Sequence, residues 1–431
     1  MSGLARCLMS RGDVVTGSDL LRTPLVESLD FSVTIGHAAE NLGDAQMVIR
    51  SAAVPDENEE VQAAHARGIP VMKYAEFLGS LMEDRAGISV AGCHGKSTTA
   101  GMITYILKRA GFDPGYVIGG TIPQLGGSSS MGKGPHFVAE ACEFDRSFLF
   151  LRPRCAVITN IEEDHLDYYR DIDEITEAFQ EYASLATEMV IGSVDNPRTA
   201  SIVSGRPGTD EGYSIEKEAD WRANNIEVRD GIWRFEVLKY GRSLGEFELG
   251  VPGRHNVSNA LAAIAVASWA GVGQEIIQLA LAEFTGVERR FQVLGEYNGA
   301  IVIDDYGHHP TEIQATLAAA RERYPTRKIW CVFQPHQYSR TKLFANEFAR
   351  SFTEAGLVLL PEVYEARDGQ EGKGISSSDL ARLLDENGKA ALFLPSFDDV
   401  VSFLRNKATE DCLILTIGAG NVDEIARKVL E

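Results

Sequence analysis

Val90-Ala91-Gly92-Cys93-His94-Gly95-Lys96-Ser97-Thr98-Thr99 concentrates more chemistry than any other stretch of this chain. The apolar Gly87-Ile88-Ser89-Val90 in front of it reads as a short buried strand. Thr98 to Ala110 behind it reads as a helix, with Ile103, Ile106 and Leu107 on one face and Gly111 as its stop. A glycine-rich turn between strand and helix aims backbone N–H groups and the positive helix end at one point, which suits a phosphate. Lys96 adds a point charge for the outer phosphates of a nucleotide, and the Ser97 hydroxyl suits Mg²⁺. Valine at position 90, where glycine is usual, makes this a shortened form of the loop. The expected ligand is ATP or GTP.

Five further clusters carry polar groups beside apolar runs. Glu140-Ala141-Cys142-Glu143-Phe144-Asp145 brings carboxylates to a strand exit, the edge at which open α/β sheets bind ligands and where Mg²⁺ on a nucleotide needs oxygen donors. Thr159-Asn160-Ile161-Glu162-Glu163-Asp164-His165-Leu166-Asp167 repeats the arrangement, with His165 as a candidate ligand of a second metal or a hydrogen-bonded loop histidine. In Gly253-Arg254-His255-Asn256-Val257-Ser258-Asn259 the asparagines serve either as helix caps or as adenine partners, and an imidazole suits stacking on a base. Asp304-Asp305-Tyr306-Gly307-His308-His309-Pro310-Thr311-Glu312 and Phe333-Gln334-Pro335-His336-Gln337-Tyr338-Ser339-Arg340 put acids, histidines and an arginine at two strand exits. These are expected side by side as one cleft wall, with Pro310 opening a helix.

Positioning these groups requires a large α/β protein. At 431 residues the chain is long enough for several cores, and 44% hydrophobic with 24% charged residues is ordinary for a globular chain. Short strands at 13–16, 47–49 and 69–71 alternate with helical stretches up to about Asp84. Strands at 137–141, 155–161 and 189–191 follow the phosphate loop, and 226–249 forms a meander turning at Asp230-Gly231 and Tyr240-Gly241. Helices at 255–270 and 274–284 lead to a last strand–helix alternation. Three α/β domains in series are expected, at 1–84, 85–286 and 287–431. A net charge of -21 argues against nucleic-acid or membrane-surface partners. The six scattered cysteines suggest neither a disulfide framework nor a zinc site, and no signal peptide or membrane-length apolar run is seen, so a cytoplasmic protein is expected.

In order, the phosphate loop, Glu-Ala-x-Glu, Asn-Ile-x-x-Asp-His-Leu-Asp, Gly-Arg-His-Asn, Arg-Arg-Phe-Gln and Asp-Asp-Tyr-Gly-His-His-Pro-Thr-Glu resemble the Mur ligases, over Gly92 to Glu312 with Phe333 to Arg340 beyond. Asp-Asp-Tyr-Gly-His-His-Pro with Phe-Gln-Pro-His looks like the alanine-adding branch. The resemblance implies a Rossmann-like UDP-sugar domain, a central P-loop ATPase-type domain with a mainly parallel sheet, and a C-terminal Rossmann-like domain. It implies that ATP activates the lactyl carboxylate of UDP-N-acetylmuramate as an acyl phosphate, which L-alanine attacks, in peptidoglycan precursor synthesis. Gly92, His94, Gly95, Lys96, Ser97 and Thr98 would cradle the phosphates, with Ser97, Glu143 and His165 on two Mg²⁺ ions. His255, Asn256 and Asn259 would surround adenine, Asp305 would reach the ribose, and Arg290 would cross to the phosphates. Tyr306, His308 and Arg340 would line the amino-acid and carboxylate site, with Lys96, Arg290, His308 and Arg340 as the catalytic set in a monomer or weak homodimer.

Departures bear on the detail. No lysine occurs between Lys133 and Lys217, which agrees with the alanine-adding branch, since other branches often carry a carbamylated lysine on the metals. Gln337 stands where some relatives have arginine. Met1-Ser2-Gly3-Leu4-Ala5 matches the end of the family's glycine-rich UDP turn, so the first strand and its glycines are expected to be missing and sugar-nucleotide binding to be weak without them. Two other readings are a murein peptide ligase, disfavoured by Tyr306-Gly307 where that relative typically has Phe-Ala, and a nucleotide-binding protein without ligase activity.

Overall fold

The structure is a computed structural model that describes every residue except Asp167, Pro207 and 366–373, with Pro24 and Leu25 described in backbone only. Asp167, the last residue of the 159–167 motif, therefore lies outside the described residues. The chain forms two compact units, one of Met1–Ala223, Val237–Leu244 and Ser258–Ala280, the other of Asn224–Glu236, Gly245–Val257 and Leu281–Glu431.

In the first unit, residues before 86 carry two small parallel sheets, Gly17–Asp19 with Val33–Ile35 and Val48–Arg50 with Val71–Lys73. The strand expected at 13–16 forms instead at Gly17–Asp19, because pairing with Val33–Ile35 sets its register, and Val14 is left 97% exposed. The helix Ser2–Arg11 docks through buried Leu4 and Cys7, and the Cys7 thiol points at the Tyr116 carbonyl.

Seven strands of the main sheet lie wholly in this unit, in the order Gly127–Ser130, Gly115–Ile122, His136–Glu140, Ala86–Ala91, Cys155–Ile158, Met189–Ser193 and Glu211–Ser214. The pairings among these seven are parallel except that between 115–122 and 127–130. Ile88, Val90, Phe137, Val138 and Ala156–Ile158 are fully buried, so the central strands read as continuous apolar runs rather than alternating ones. Each buried Val or Ile contributes about 1.5–3 kcal/mol. Ser89 is the polar exception, and its hydroxyl shares a 2.5 Å hydrogen bond with buried Tyr182. The strand that opens the phosphate loop thus lies between 136–140 and 155–158, and three acid- and loop-bearing exits meet at one edge.

The second unit has a six-stranded sheet in the order Gln292–Tyr297, Ala300–Asp305, Cys412–Ile417, Lys328–Phe333, Leu357–Leu360 and Ala391–Phe393. Only the first pairing is antiparallel. This corrects one expectation. The exits at 306 and 334 are not on neighbouring strands, because the 412–417 strand is inserted between them by a parallel crossover.

Candidate active site

In the first unit the phosphate loop is braced by the next strand exit. Asn160 clamps the His94 peptide from both sides, accepting its N–H at 2.9 Å and donating to its carbonyl at 3.0 Å. The Thr159 hydroxyl donates to the same carbonyl at 2.6 Å. Gly92 has φ +138°, and a Cβ there would stand 2.0 Å from the Thr159 hydroxyl, so only glycine fits. Gly95, at φ +82°, is pressed against Asn259, whose Oδ1 would lie 2.5 Å from an added Cβ. The helix Lys96–Arg109 then begins, two residues earlier than its apolar pattern predicts, and Ser97 and Thr98 fall in its buried first turn.

The charged groups converge on Glu143, which is only 2% exposed. The Lys96 ammonium donates to both Glu143 oxygens at 3.1 and 3.0 Å, and also to the Gly92 and Cys93 carbonyls. Burial alone would lower the pKa of Lys96, but the Glu143 carboxylate beside it reverses the sign and holds the ammonium charged. The Tyr169 hydroxyl fixes the Glu143 backbone by donating to its carbonyl at 2.5 Å. His165 has φ +53°, and its Nε2 lies 3.7 Å from Glu143 and 3.9 Å from Asp164. Glu143, Asp164 and His165 each offer a ligand atom within 4.8 Å of the others. Two carboxylates and an imidazole form a donor set whose oxygens suit Mg²⁺, while the Ser97 hydroxyl donates to Glu140 at 2.8 Å. Sequence reasoning singled out Glu143 and His165 for metal; Asp164 joins them here because it sits one residue before the bend at His165.

In the second unit Asp305 is buried at the end of its strand and accepts the Phe291 and Gly307 N–H groups, each at 2.8 Å. Burial pushes its carboxyl up to about 6, against the opposing pull of Arg290 and the two N–H donors. Asp304 is occupied structurally, by the Thr416 hydroxyl at 2.6 Å and Arg289 at 3.0 Å. Arg290 lies 3.4 Å from Glu312 and 5.2 Å from the Tyr306 ring centroid. Glu312 gathers the turn by accepting the His308 and His309 N–H groups at 2.9 and 3.2 Å, so His309 caps the helix Pro310–Arg323. The His308 and His336 rings are 6.0 Å apart, and Arg340 lies 3.3 Å from His336. Tyr364 stacks on His336 at 5.5 Å. Gly418 and Gly420 of the inserted strand's exit allow this approach, since an added Cβ at 420 would meet Gln334 at 2.5 Å and Tyr364 at 2.8 Å. Gln337, with φ +70°, donates its N–H to the Tyr364 carbonyl and accepts from Thr341.

The nucleoside candidates divide between the units. Asn259 abuts the phosphate loop in the first. Asn256, in the second, is buried and donates to the Pro252 carbonyl at 2.6 Å. His255 has a partly exposed surface, yet desolvation by the surrounding protein and then the Arg290 cation lower its pKa to about 4, leaving a neutral imidazole at pH 7. Glu312 and His336 carry no individual role in the sequence reading, and Glu140 enters it only as one of the carboxylates offered to Mg²⁺, although each of the three lies inside a motif. Glu312 was the most accessible of the three, as the acid two residues after a helix-opening proline.

Comparison with known proteins bears on the whole chain. Residues 1–86 match the family description "Mur ligase family, catalytic domain", 90–267 "Mur ligase middle domain", and 289–420 "Mur ligase, glutamate ligase domain". The UDP-N-acetylmuramate–L-alanine ligase of Caldanaerobacter subterraneus subsp. tengcongensis is 42% identical, with 100% of this chain and 95% of that one covered. The enzyme of the same name from Salinibacter ruber is 41% identical, with 98% and 90% covered. Among solved structures, the UDP-N-acetylmuramate-alanine ligase of Thermotoga maritima superposes with a TM-score of 0.84 at 27% identity, covering 100% of this chain and 95% of that one. A murein peptide ligase from Psychrobacter arcticus reaches 0.72 at 26% identity, with the same coverage.

Proposed function

The chain belongs to the Mur ligase family, and from that premise we infer that it is an ATP-dependent ligase joining L-alanine to the lactyl carboxylate of UDP-N-acetylmuramate. The observation that carries the reading is a phosphate-loop lysine seated on a buried glutamate, in a chain alike from end to end to enzymes of that name. The reaction has two steps. A carboxylate oxygen attacks the γ-phosphorus of ATP, ADP leaves, and an acyl phosphate forms. The amine of alanine then attacks the acyl carbon, the C–O bond to phosphate breaks, and amide and inorganic phosphate result.

Lys96 and the N–H groups of residues 92–98 bind the phosphates and follow the negative charge as it moves to the β–γ bridge. Ser97, Glu143, Asp164 and His165 would hold Mg²⁺, which when bound neutralises phosphate charge. Asn259, Asn256 and neutral His255 suit the adenine, and Asp305 the ribose. Arg290 balances the transferred phosphoryl group. Tyr306, His308 and Arg340 orient the alanine and the carboxylate, and His308, backed by Glu312 at 3.5 Å, takes the proton of the incoming ammonium. No helix among the described residues is long and apolar enough to cross a membrane. A cytoplasmic location and a monomeric or weakly dimeric state belong to the same proposal.

ADP release measured with UDP-N-acetylmuramate and L-alanine, glycine, L-serine or a recycled-type tripeptide tests the acceptor. Alanine is expected to be preferred, whereas preference for the tripeptide would favour the murein peptide reading and amino-acid-independent release would exclude a ligase. A pH dependence follows from Asp305. With its carboxyl near 6, lowering the pH through that value protonates it and removes its charge from the ribose. KM for ATP is expected to rise as pH falls from 7 to 5, and the Asp305→Asn enzyme to start with a higher KM that is flat over the same range. Parallel profiles in steady-state assays would remove Asp305 from nucleotide binding.

A further inference from the structure

The second unit holds a cavity of about 380 Å³ whose walls contain none of the residues assigned above. Three segments enclose it. The strands Trp221–Arg229 and Ile232–Lys239 join through Asp230-Gly231, at φ +54° and +77°, and this two-residue turn brings Asp230 and Ile232 to one side. Leu249 and Gly250 form the second side, held close to its neighbours, since a Cβ at 250 would stand 2.4 Å from the Phe284 carbonyl oxygen. The helix Pro310–Arg323 ends at the third, where the Arg323 guanidinium lies 5.7 Å from the Tyr324 ring centroid.

The charges on these walls do not cancel one another. Arg323 is half-buried, yet beyond the Tyr324 ring its guanidinium has no hydrogen bond or ion pair among the described residues. The Asp230 carboxylate has none there either, so the two do not pair across the cavity. Glu248, on the same wall as Leu249, is already neutralised by Arg234 at 2.8 Å. A cation drawn partly out of water without a counter-charge is unfavourable, and the planar guanidinium fork matches a carboxylate. A polyphosphate would meet repulsion from Asp230, whereas a ligand carrying both charges satisfies both residues. Ile232, 38% exposed, adds apolar surface for a side chain.

We propose that this cavity binds a zwitterionic amino acid or short peptide, its carboxylate on Arg323 and its ammonium on Asp230. None of these groups takes part in the ligase chemistry, so the site stands whether or not that reading does.

Saturation-transfer NMR on the full chain, titrated with L-leucine and with L-leucylglycine, measures binding apart from turnover. At least one probe is expected to bind. Arg323→Ala and Asp230→Asn should each weaken it about tenfold or more, the scale of a lost hydrogen bond between charged groups. Asparagine suits position 230 because it tolerates the left-handed backbone there. N-acetyl-leucylglycine, which lacks the ammonium, and leucylglycine amide, which lacks the carboxylate, should bind the wild type more weakly by a similar factor. They test the same two contacts should either variant fail to fold. Tighter binding of leucine supports a site for free amino acids, and tighter binding of the dipeptide a site for peptides. Binding of neither probe, or binding that both variants and both modifications leave unchanged, would overturn the proposal.

Discussion

Replacing Lys96 with alanine is expected to lower turnover by at least about a thousandfold, the scale on which cations at a transferring phosphoryl group act. The same change has a second consequence that the sequence does not announce. Lys96 is the cation that faces both oxygens of Glu143, a carboxylate only 2% exposed. Removing one partner of a buried pair leaves the other charge uncompensated, at a cost of about 3–5 kcal/mol. Lys96→Ala should therefore melt well below the wild type, and poor activity alone could be mistaken for poor folding. The double variant Lys96→Ala with Glu143→Gln resolves this, because it removes the stranded charge. Thermal melts are expected to recover most of the loss in the double variant while turnover stays absent. Activity returning with stability would show that Lys96 only holds the loop together.

The second large effect lies in the other unit. Arg289 binds Asp304 at 3.0 Å, the Gly418 and Gly420 carbonyls at 2.9 and 3.0 Å, and Asp423 at 3.4 Å. It thereby ties the exits of two neighbouring strands, and Asp304 at the centre is 1% exposed. Arg289→Ala is expected to destabilise this unit by about 3 kcal/mol or more at neutral pH. The pH dependence has a definite sign. Burial raises the Asp304 carboxyl above its usual value, with Arg289 holding it partly down, so losing Arg289 raises it further. A carboxyl raised in the folded state contributes most below its unfolded pKa, and that contribution is lost as pH rises through the folded one. Urea unfolding of Arg289→Ala should therefore show the deficit shrinking from pH 7.5 towards pH 5. A deficit that does not change with pH would assign the loss to the carbonyl contacts instead.

Much of the site was legible because its determinants are local. Gly-Lys-Ser after an apolar strand specifies a phosphate loop, and the acids at 140–145 and 159–165 betray themselves by ending apolar runs. Glu143 and Lys96 are 47 positions apart, however, and their pairing follows from strand order. That order places 136–140 and 155–158 on either side of 86–91, and it is set by parallel crossovers with no signature in any one segment. The same limit explains the 412–417 strand between the exits at 306 and 334. The shift from 13–16 to Gly17–Asp19 has a related cause, since a short strand takes its register from its partner rather than from its own two valines.

The proposed role of the lysine in the 92–99 loop is to help ATP activate a carboxylate for amide formation. Its most direct test follows oxygen. UDP-N-acetylmuramate labelled with ¹⁸O in the lactyl carboxylate is incubated with ATP, Mg²⁺ and L-alanine, and the released phosphate is analysed by mass spectrometry. An acyl phosphate passes one carboxylate oxygen to the phosphate, so each phosphate formed is expected to carry one ¹⁸O while the amide product accumulates. Unlabelled phosphate, formed at the same rate with or without alanine, would contradict the account.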